Sequence, residues 1–238
     1  MKISRYKHDS ETSYALGATL VFELLKNKPE LITKVFLRPT EKQGEDIAKI
    51  LRSAEEKQIP VIESAKPFNV LNAKDACLLI AEFKKSSTKL DDNNHLLLVN
   101  PSDAGNLGTI MRTAVAFGVK NLAIIPPAVD PYDPKVIRAS MGAIFHLNLE
   151  IIPDFETYKS RFPNHHRYAF MLNKNAKTLD KAKTSKESPF TLVMGNEAAG
   201  LPASYSEDCE TIFIPQSDEV DSLNLSIATA LALYAFTR

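Results

Sequence analysis

Residues 100–112 read NPSDAGNLGTIMR, and they follow the apolar run LLLV at 96–99. A short apolar run closed by a polar turn reads as a buried strand. Gly105 and Gly108 then mark a loop from which a helix starts near Asn106, running over 107–117 and ended by Gly118. The same rhythm continues downstream. Residues 121–125 read as a strand, followed by a loop with Pro126, Pro127, Pro131 and Pro134 and a helix over 135–143. Further strands are expected at 168–172, 190–194 and 211–214, and an apolar helix at 222–236. Continuously apolar strands alternating with helices predict an α/β fold, a parallel sheet covered on both faces. Six of the eight glycines (Gly105, Gly108, Gly118, Gly142, Gly195, Gly200) fall in this region, mostly just past strand ends, the edge where open α/β sheets take ligands.

Upstream the pattern changes. Leu16, Leu20, Val21, Leu24 and Leu25 predict a helix over 14–27, and 44–57 reads as an amphipathic helix. Strands are expected at 34–38, at 59–62 with Pro60 forcing an edge or strand-start position, and at 77–83. Residues 84–95, KKSSTKLDDNNH, lack apolar periodicity and read as a linker. The expected organisation is a small α/β domain over 1–83, a linker over 84–95 and a larger domain over 96–238.

Across all 238 residues, 44% are hydrophobic and 24% charged, which excludes disorder as the main state. No apolar run approaches the ~20 residues that span a bilayer, and the first residues lack the apolar core of a secretory signal. Cys77 and Cys209 cannot supply a disulfide framework or a four-thiolate zinc site, so no metal and a reducing, cytoplasmic setting are expected. The net charge is zero, but residues 157–186 hold eight Lys/Arg and only Asp180, whereas 187–221 hold eight Asp/Glu and no Lys or Arg. That segregation offers either a phosphate-facing patch or two solvated faces of opposite sign.

Three strand-end segments carry the unusual residues. In 100–112, an exposed helix start is an anion site, and Arg112 on an apolar helix needs a ligand or caps a neighbouring carbonyl. In 192–201, LVMGNEAAGL, Gly195 and Gly200 permit close backbone approach, and Glu197 is either functional or a cap of the following helix. In 214–228, Ser222, Asn224 and Ser226 open an apolar helix, where such residues are most often caps. The phosphate loop, the nucleophile elbow and the dinucleotide fingerprint are absent.

Together the three segments resemble the three motifs of the SpoU (TrmH-type) RNA 2′-O-ribose methyltransferases, a branch of the SPOUT superfamily: NLGTIMRTAVAFG, LVMGNEAAGLP, and IP followed by SLNLSIATAL. DPYDPKVIRASMGAIF at 130–145 is similar to a further family region, and residues 1–83 resemble the substrate-binding domain often fused in front. The resemblance implies a C-terminal trefoil-knotted SPOUT domain, S-adenosyl-L-methionine as cofactor, a homodimer, and ribosomal RNA as substrate rather than transfer RNA. It implies catalytic positions at Asn106, Arg112, Glu197, Ser222 and Asn224, and cofactor contacts around Gly195, Ile214 and Leu223. Arg112 is either the base or a phosphate clamp. The run Gln216–Ser217–Asp218–Glu219 departs from the family pattern, which has Met and then a glycine there. The alternative is a non-catalytic RNA-binding or ribosome-assembly protein on the same fold.

Overall fold

The computed structural model describes residues 3–40, 44–184 and 188–238. In chain order the elements are β1 (Thr12–Leu16), α1 (Ala18–Asn27), β2 (Ile32–Leu37), α2 (Glu45–Glu56), β3 (Val61–Glu63), α3 (Lys66–Val70), β4 (Leu79–Lys84), β5 (His95–Val99), α4 (Ala104–Ala116), β6 (Asn121–Ile125), α5 (Pro134–Ala139), β7 (Asn148–Ile151), α6 (Phe155–Arg161), β8 (His166–Phe170), β9 (Lys177–Thr178), α7 (Leu179–Thr184), β10 (Phe190–Met194), α8 (Tyr205–Asp208), β11 (Glu210–Phe213) and α9 (Leu225–Thr237). They form two compact units, Met1–Ser86 with Asp130–His146, and Ser87–Val129 with Leu147–Arg238.

The first unit is built on a four-stranded sheet ordered β1-β4-β2-β3. β4 runs antiparallel to both β1 and β2, and β3 pairs parallel to β2 at the edge, just after Pro60. The helix expected over 14–27 is shorter: its first residues form β1, with Tyr14 and Ala15 buried in register with Glu82 and Ala81. Gly17 makes the break at φ 111°, a conformation that no helix contains and that L side chains rarely adopt. Burial of Leu20, Val21, Leu24 and Leu25 then follows the 3.6-residue period along α1.

Residues 130–146, expected in the C-terminal domain, cluster instead with this N-terminal unit. Asp130 fastens them. Its half-buried carboxylate accepts from Tyr6 Oη, from Lys85 Nζ at 3.0 Å and from the Tyr132 amide at 2.8 Å, and contacts His8 Nδ1 at 2.9 Å. Ser13 Oγ donates to the Tyr132 carbonyl, and Phe145 meets Phe83 edge-on at 5.4 Å.

The second unit carries a seven-stranded sheet ordered β7-β6-β5-β10-β8-β11-β9, parallel at every pairing. Every residue of β5, β6 and β10 is buried, as strands covered on both faces should be. The chain builds outward from β5 through β6 and β7, crosses to form β8 and the edge strand β9 on the other side, and then inserts β10 between β5 and β8. Strand order therefore reverses between β5 and β10, and the loops leaving these strands diverge into a crevice. Of the expected linker 84–95, residues 87–94 lie against this unit. Thr88 exchanges two hydrogen bonds with Leu149, the Leu90 amide donates to Glu150, and Asp91 accepts from Asn121 Nδ2 at 2.6 Å.

Candidate functional site

The loops at the carboxyl ends of β8, β10 and β11 enclose a cavity of about 370 Å³, a size typical of small-molecule sites. Its wall is largely apolar, from Phe170, Leu172, Ile212, Ile214, Leu223 and Leu225, and is completed by the 194–201 turn. All three expected cofactor positions, Gly195, Ile214 and Leu223, line it, as do Glu197 and Ser222. Among the described residues, Glu197 is the only charged one of the lining. A ligand bearing phosphates would meet no cation there, whereas a flat base with a positively charged or zwitterionic end would meet apolar walls and a carboxylate.

The turn after β10 is held by its own geometry. A Cβ on Gly195 would stand 2.3 Å from the Gly200 carbonyl carbon and 2.6 Å from the Leu201 nitrogen, so only glycine fits. Asn196 and Gly200 exchange backbone hydrogen bonds at 3.1 and 3.0 Å. The Asn196 side chain accepts from the Ala198 and Ala199 amides and donates to the Asn100 carbonyl at 2.8 Å, tying the turn to the end of β5. Sequence reasoning missed Asn196; the signal is an Asn opening a glycine-flanked turn, a common Asx arrangement.

Glu197 reaches across the crevice. Its carboxylate accepts from Ser102 Oγ at 2.8 Å, from the Ser102 and Asp103 amides at 3.1 and 3.2 Å, and from Asn106 Nδ2 at 3.3 Å. Partial burial raises its pKa, but the donors, Ser102 foremost, more than offset this and leave it below the ordinary range, so it is ionised at neutral pH. Glu197 therefore caps the chain ahead of α4 rather than the helix that follows it. Asp103, the N-cap of α4, accepts from the Asn106 amide at 2.7 Å. The anion site expected at this helix start is thus filled by the chain's own carboxylates. Ser102 and Asp103 were also overlooked; a Ser-Asp pair before a small-residue helix start is the cap signature.

Asn106 links this network to α9. Its Oδ1 accepts from Asn224 Nδ2 at 3.0 Å, and Asn224 caps α9 by accepting from the Ser226 amide and hydroxyl at 2.8 and 2.6 Å. Four of the expected residues thus converge: Asn224, Asn106 and Glu197 in one hydrogen-bonded chain, and Ser222 on the cavity wall. Arg112 stands apart. Six residues beyond Asn106, it lies about 9 Å along α4 and about 120° around it. It shares an exposed face with Gly105, Thr109 and Ala116 and has no hydrogen-bond or ion-pair partner among the described residues. The expected apolar surroundings of Arg112 are therefore not found, because the buried face of α4 is the one with Leu107, Ile110, Met111 and Ala114.

The segregated charges meet in the fold. From the basic run, Lys159 pairs with Asp208 and Glu156, Arg161 with Glu150 through both nitrogens, Lys174 with Asp218 and Lys177 with Glu210. Lys186 and the side chain of Lys183 lie outside the described residues. Lys159, Arg161, Lys174 and Lys177 are thus neutralised by acids of their own unit. Among the described residues no cluster of His, Cys, Asp and Glu could hold a metal ion, and no helix is long and apolar enough to cross a membrane.

The model of the SpoU rRNA Methylase family matches residues 93–234, and this range contains every residue of the cavity and its hydrogen-bonded chain. The chain belongs to the SpoU rRNA methylase family. Among curated relatives, the 23S rRNA (uridine(2479)-2'-O)-methyltransferase of Streptomyces viridochromogenes is 30% identical over 60% of this chain and 52% of its own length. The 23S rRNA (guanosine-2'-O-)-methyltransferase RlmB of Acinetobacter baylyi is 27% identical over 96% of this chain and 98% of its own. The chain spans about half or less of the length of the first curated relatives it matches. Among solved structures, the AdoMet-bound rRNA methyltransferase from Sinorhizobium meliloti superposes with a TM-score of 0.80 at 24% identity, covering 95% of this chain and 87% of that one.

Proposed function

We propose that the chain methylates a ribose 2′-hydroxyl in RNA with S-adenosyl-L-methionine as donor, and acts on ribosomal in preference to transfer RNA. The observation that carries this is the cavity at the carboxyl ends of β8, β10 and β11, apolar-walled, free of cations among the described residues and bordered by one ionised carboxylate. It fits a cationic sulfonium donor and disfavours a phosphate-bearing one. The names of the relatives, two of them 23S rRNA 2′-O-methyltransferases, support the substrate class.

When bound, the donor supplies an electrophilic methyl group. The chain's residues would do the rest. Gly195, Ile214 and Leu223 would hold the donor, largely through backbone groups and apolar contact. Glu197, Asn106 and Asn224 act as positioning residues that lock the starts of α4 and α9 around the cavity mouth, and Ser222 offers a hydroxyl on its wall. Arg112 has five donors and no acceptor and stays charged. Its part is to clamp an RNA phosphate and so set the 2′-oxygen in line with the methyl group.

The family likeness also supports a trefoil knot in the region 96–238, RNA binding by residues 1–83, and a cytoplasmic setting. It supports a homodimer as well, for which α9 offers an exposed apolar stripe of Ile227, Leu231 and Tyr234.

Titration calorimetry with S-adenosylhomocysteine, followed by methyl transfer from labelled donor to ribosomal RNA, tests the reading. Micromolar binding and label on a ribose 2′-oxygen are expected. Arg112→Ala should bind S-adenosylhomocysteine as the wild type does and keep its fold, since this exposed side chain has no partner to lose, yet transfer no methyl group. Absence of S-adenosylhomocysteine binding, or turnover by Arg112→Ala at the wild-type rate, would overturn the donor assignment or the role of Arg112 respectively.

A further inference from the structure

The N-terminal unit holds a second and larger cavity, about 670 Å³, bounded by Arg5 and Tyr6, by the 70–77 loop and by residues 133–138. Its floor is apolar, with Leu16, Val70, Leu71, Ala73 and Ala76, and Cys77 lies beside them. Four cations line it, Arg5, Lys74, Lys135 and Arg138, against one acid, Asp133. All four are exposed, and none of their side chains has an ion-pair or hydrogen-bond partner among the described residues. Several basic side chains elsewhere are tied to acids. Lys85 is tied to Asp130, Lys34 to Glu82, and Lys159, Arg161, Lys174 and Lys177 to acids of their own unit. Four cations without an acid partner among the described residues thus face one groove, on a protein whose net charge is zero.

The groove is also a built feature. Arg38 lies over the Phe68 ring at 4.5 Å, donates from Nε to the Cys77 carbonyl at 2.9 Å and reaches the carbonyls of Ala73 and Lys74. A buried-side guanidinium therefore fixes the 73–77 loop from beneath and leaves Lys74 to face outward. On the opposite wall, Asp133 caps α5 through the Lys135 amide at 2.8 Å, which spends the one acid of the lining on the backbone. Asp130 secures the same segment to Tyr6 and Lys85.

We infer that this groove is the site at which the N-terminal unit takes a single-stranded segment of RNA, with phosphates on Arg5, Lys74, Lys135 and Arg138 and a splayed-out base on the apolar floor. The inference rests on the RNA reading above and deepens it. Two observations select the occupant. Cations on both rims suit a chain carrying a negative charge at each residue. A concave apolar floor admits an unpaired base but not the closed, convex surface of a duplex. An acidic protein segment would use the same cations and leave the floor unfilled.

The test is binding of a short fluorescent single-stranded RNA to the full-length protein over a range of salt concentrations. The double variant Lys74→Glu/Arg138→Glu is compared with the wild type and with Lys49→Glu, an exposed change on α2 outside the groove. The double variant should bind about tenfold or more weakly, and its slope of log affinity against log salt should fall by about 1.4, two phosphate contacts at ~0.7 each. Lys49→Glu should bind as the wild type does, and S-adenosylhomocysteine binding should be unchanged in all three. A duplex of the same sequence should compete poorly. Unchanged affinity and slope in the double variant would overturn the inference, and would leave the methyltransferase reading standing if the wild type still transfers methyl groups. Displacement of the RNA by poly-glutamate at equal charge concentration would overturn it in favour of an acidic protein partner. Groove-dependent RNA binding with no methyl transfer would keep the inference and defeat the enzymatic reading.

Discussion

Gly195 shows how a single missing methyl group fixes the donor cavity. With Gly200 and Leu201 backbone atoms within 2.6 Å of where its Cβ would stand, Gly195→Ala cannot be absorbed by a flexible side chain, because the obstructing atoms are main chain. The 196–201 turn must move, and with it the hydrogen bonds from Asn196 to Asn100 and from Glu197 to Ser102. We expect Gly195→Ala to weaken S-adenosylhomocysteine binding at least about tenfold and to cost about 1–3 kcal/mol of stability, within the range for forced overpacking. Calorimetry beside a urea unfolding curve checks both. Wild-type affinity would mean that the turn relaxes without disturbing the cavity. Gly200 differs: it sits at φ 66° with open space where a Cβ would go, so its cost is conformational only. The sequence marks both glycines as turn formers but does not distinguish the close approach from the left-handed conformation, since that depends on where a residue five positions away comes to lie.

Among the elements, α9 carries two apolar faces with different fates. Leu225, Ala232, Leu233 and Phe236 are buried within their own unit, whereas Ile227, Leu231 and Tyr234 stand 52%, 40% and 55% exposed. An outward apolar stripe on an otherwise buried helix is the usual mark of an interface. Leu231→Asp should therefore convert a dimer to a monomer in sedimentation while keeping helical content, since this side chain contributes little to the folded monomer. A monomeric wild type at micromolar concentration would contradict the homodimer. The helix itself was evident from its composition, and so were the buried strands β5, β6 and β10, whose apolar runs are too short for anything else. The start of α1 was not, because apolar residues at 14–16 satisfy a helical period and a strand period alike, and only Gly17 at φ 111° separates the two. β7 escaped for a related reason. Its four residues alternate Asn, Leu, Glu and Ile at the edge of a sheet and carry little apolar signal of their own. Within the run 84–95 that reads as a linker, residues 87–94 are held by Leu149, Glu150 and Asn121, partners too distant in sequence for local patterning to reveal.

For the molecule as a whole, near-neutral charge and paired surface ions leave few groups whose titration should govern stability, and two buried histidines are the exception. His95 Nε2 lies 2.6 Å from the Asp91 carbonyl, which can only accept, so this nitrogen carries the proton. Nδ1 must then accept from Tyr158 Oη at 2.7 Å, Tyr158 in turn from Thr191 Oγ1 at 2.6 Å, and Thr191 from His165 Nδ1 at 2.9 Å. Every polar atom along this path has one consistent role only while His95 is neutral. Protonating Nδ1 sets two donors face to face inside the sheet. Burial, chiefly, and the neighbouring His165 bring the pKa of His95 down from 6.5 to about 4; burial likewise lowers that of His165. A folded-state pKa below the unfolded value means that the unfolded chain binds more protons in this window. Stability should be full above about pH 6.5 and fall as the pH drops toward 4, by about 1.4 kcal/mol per pH unit for each histidine fully in its window. His95→Phe should lower stability near pH 7, because Tyr158 loses its acceptor, yet flatten the dependence between about pH 6.5 and 4 by about one proton. Urea unfolding midpoints across that range provide the slope. An undiminished slope in His95→Phe would transfer the acid sensitivity to His165 or to carboxylates such as Asp130 and Glu197, whose lowered pKa values place their own losses further into acid.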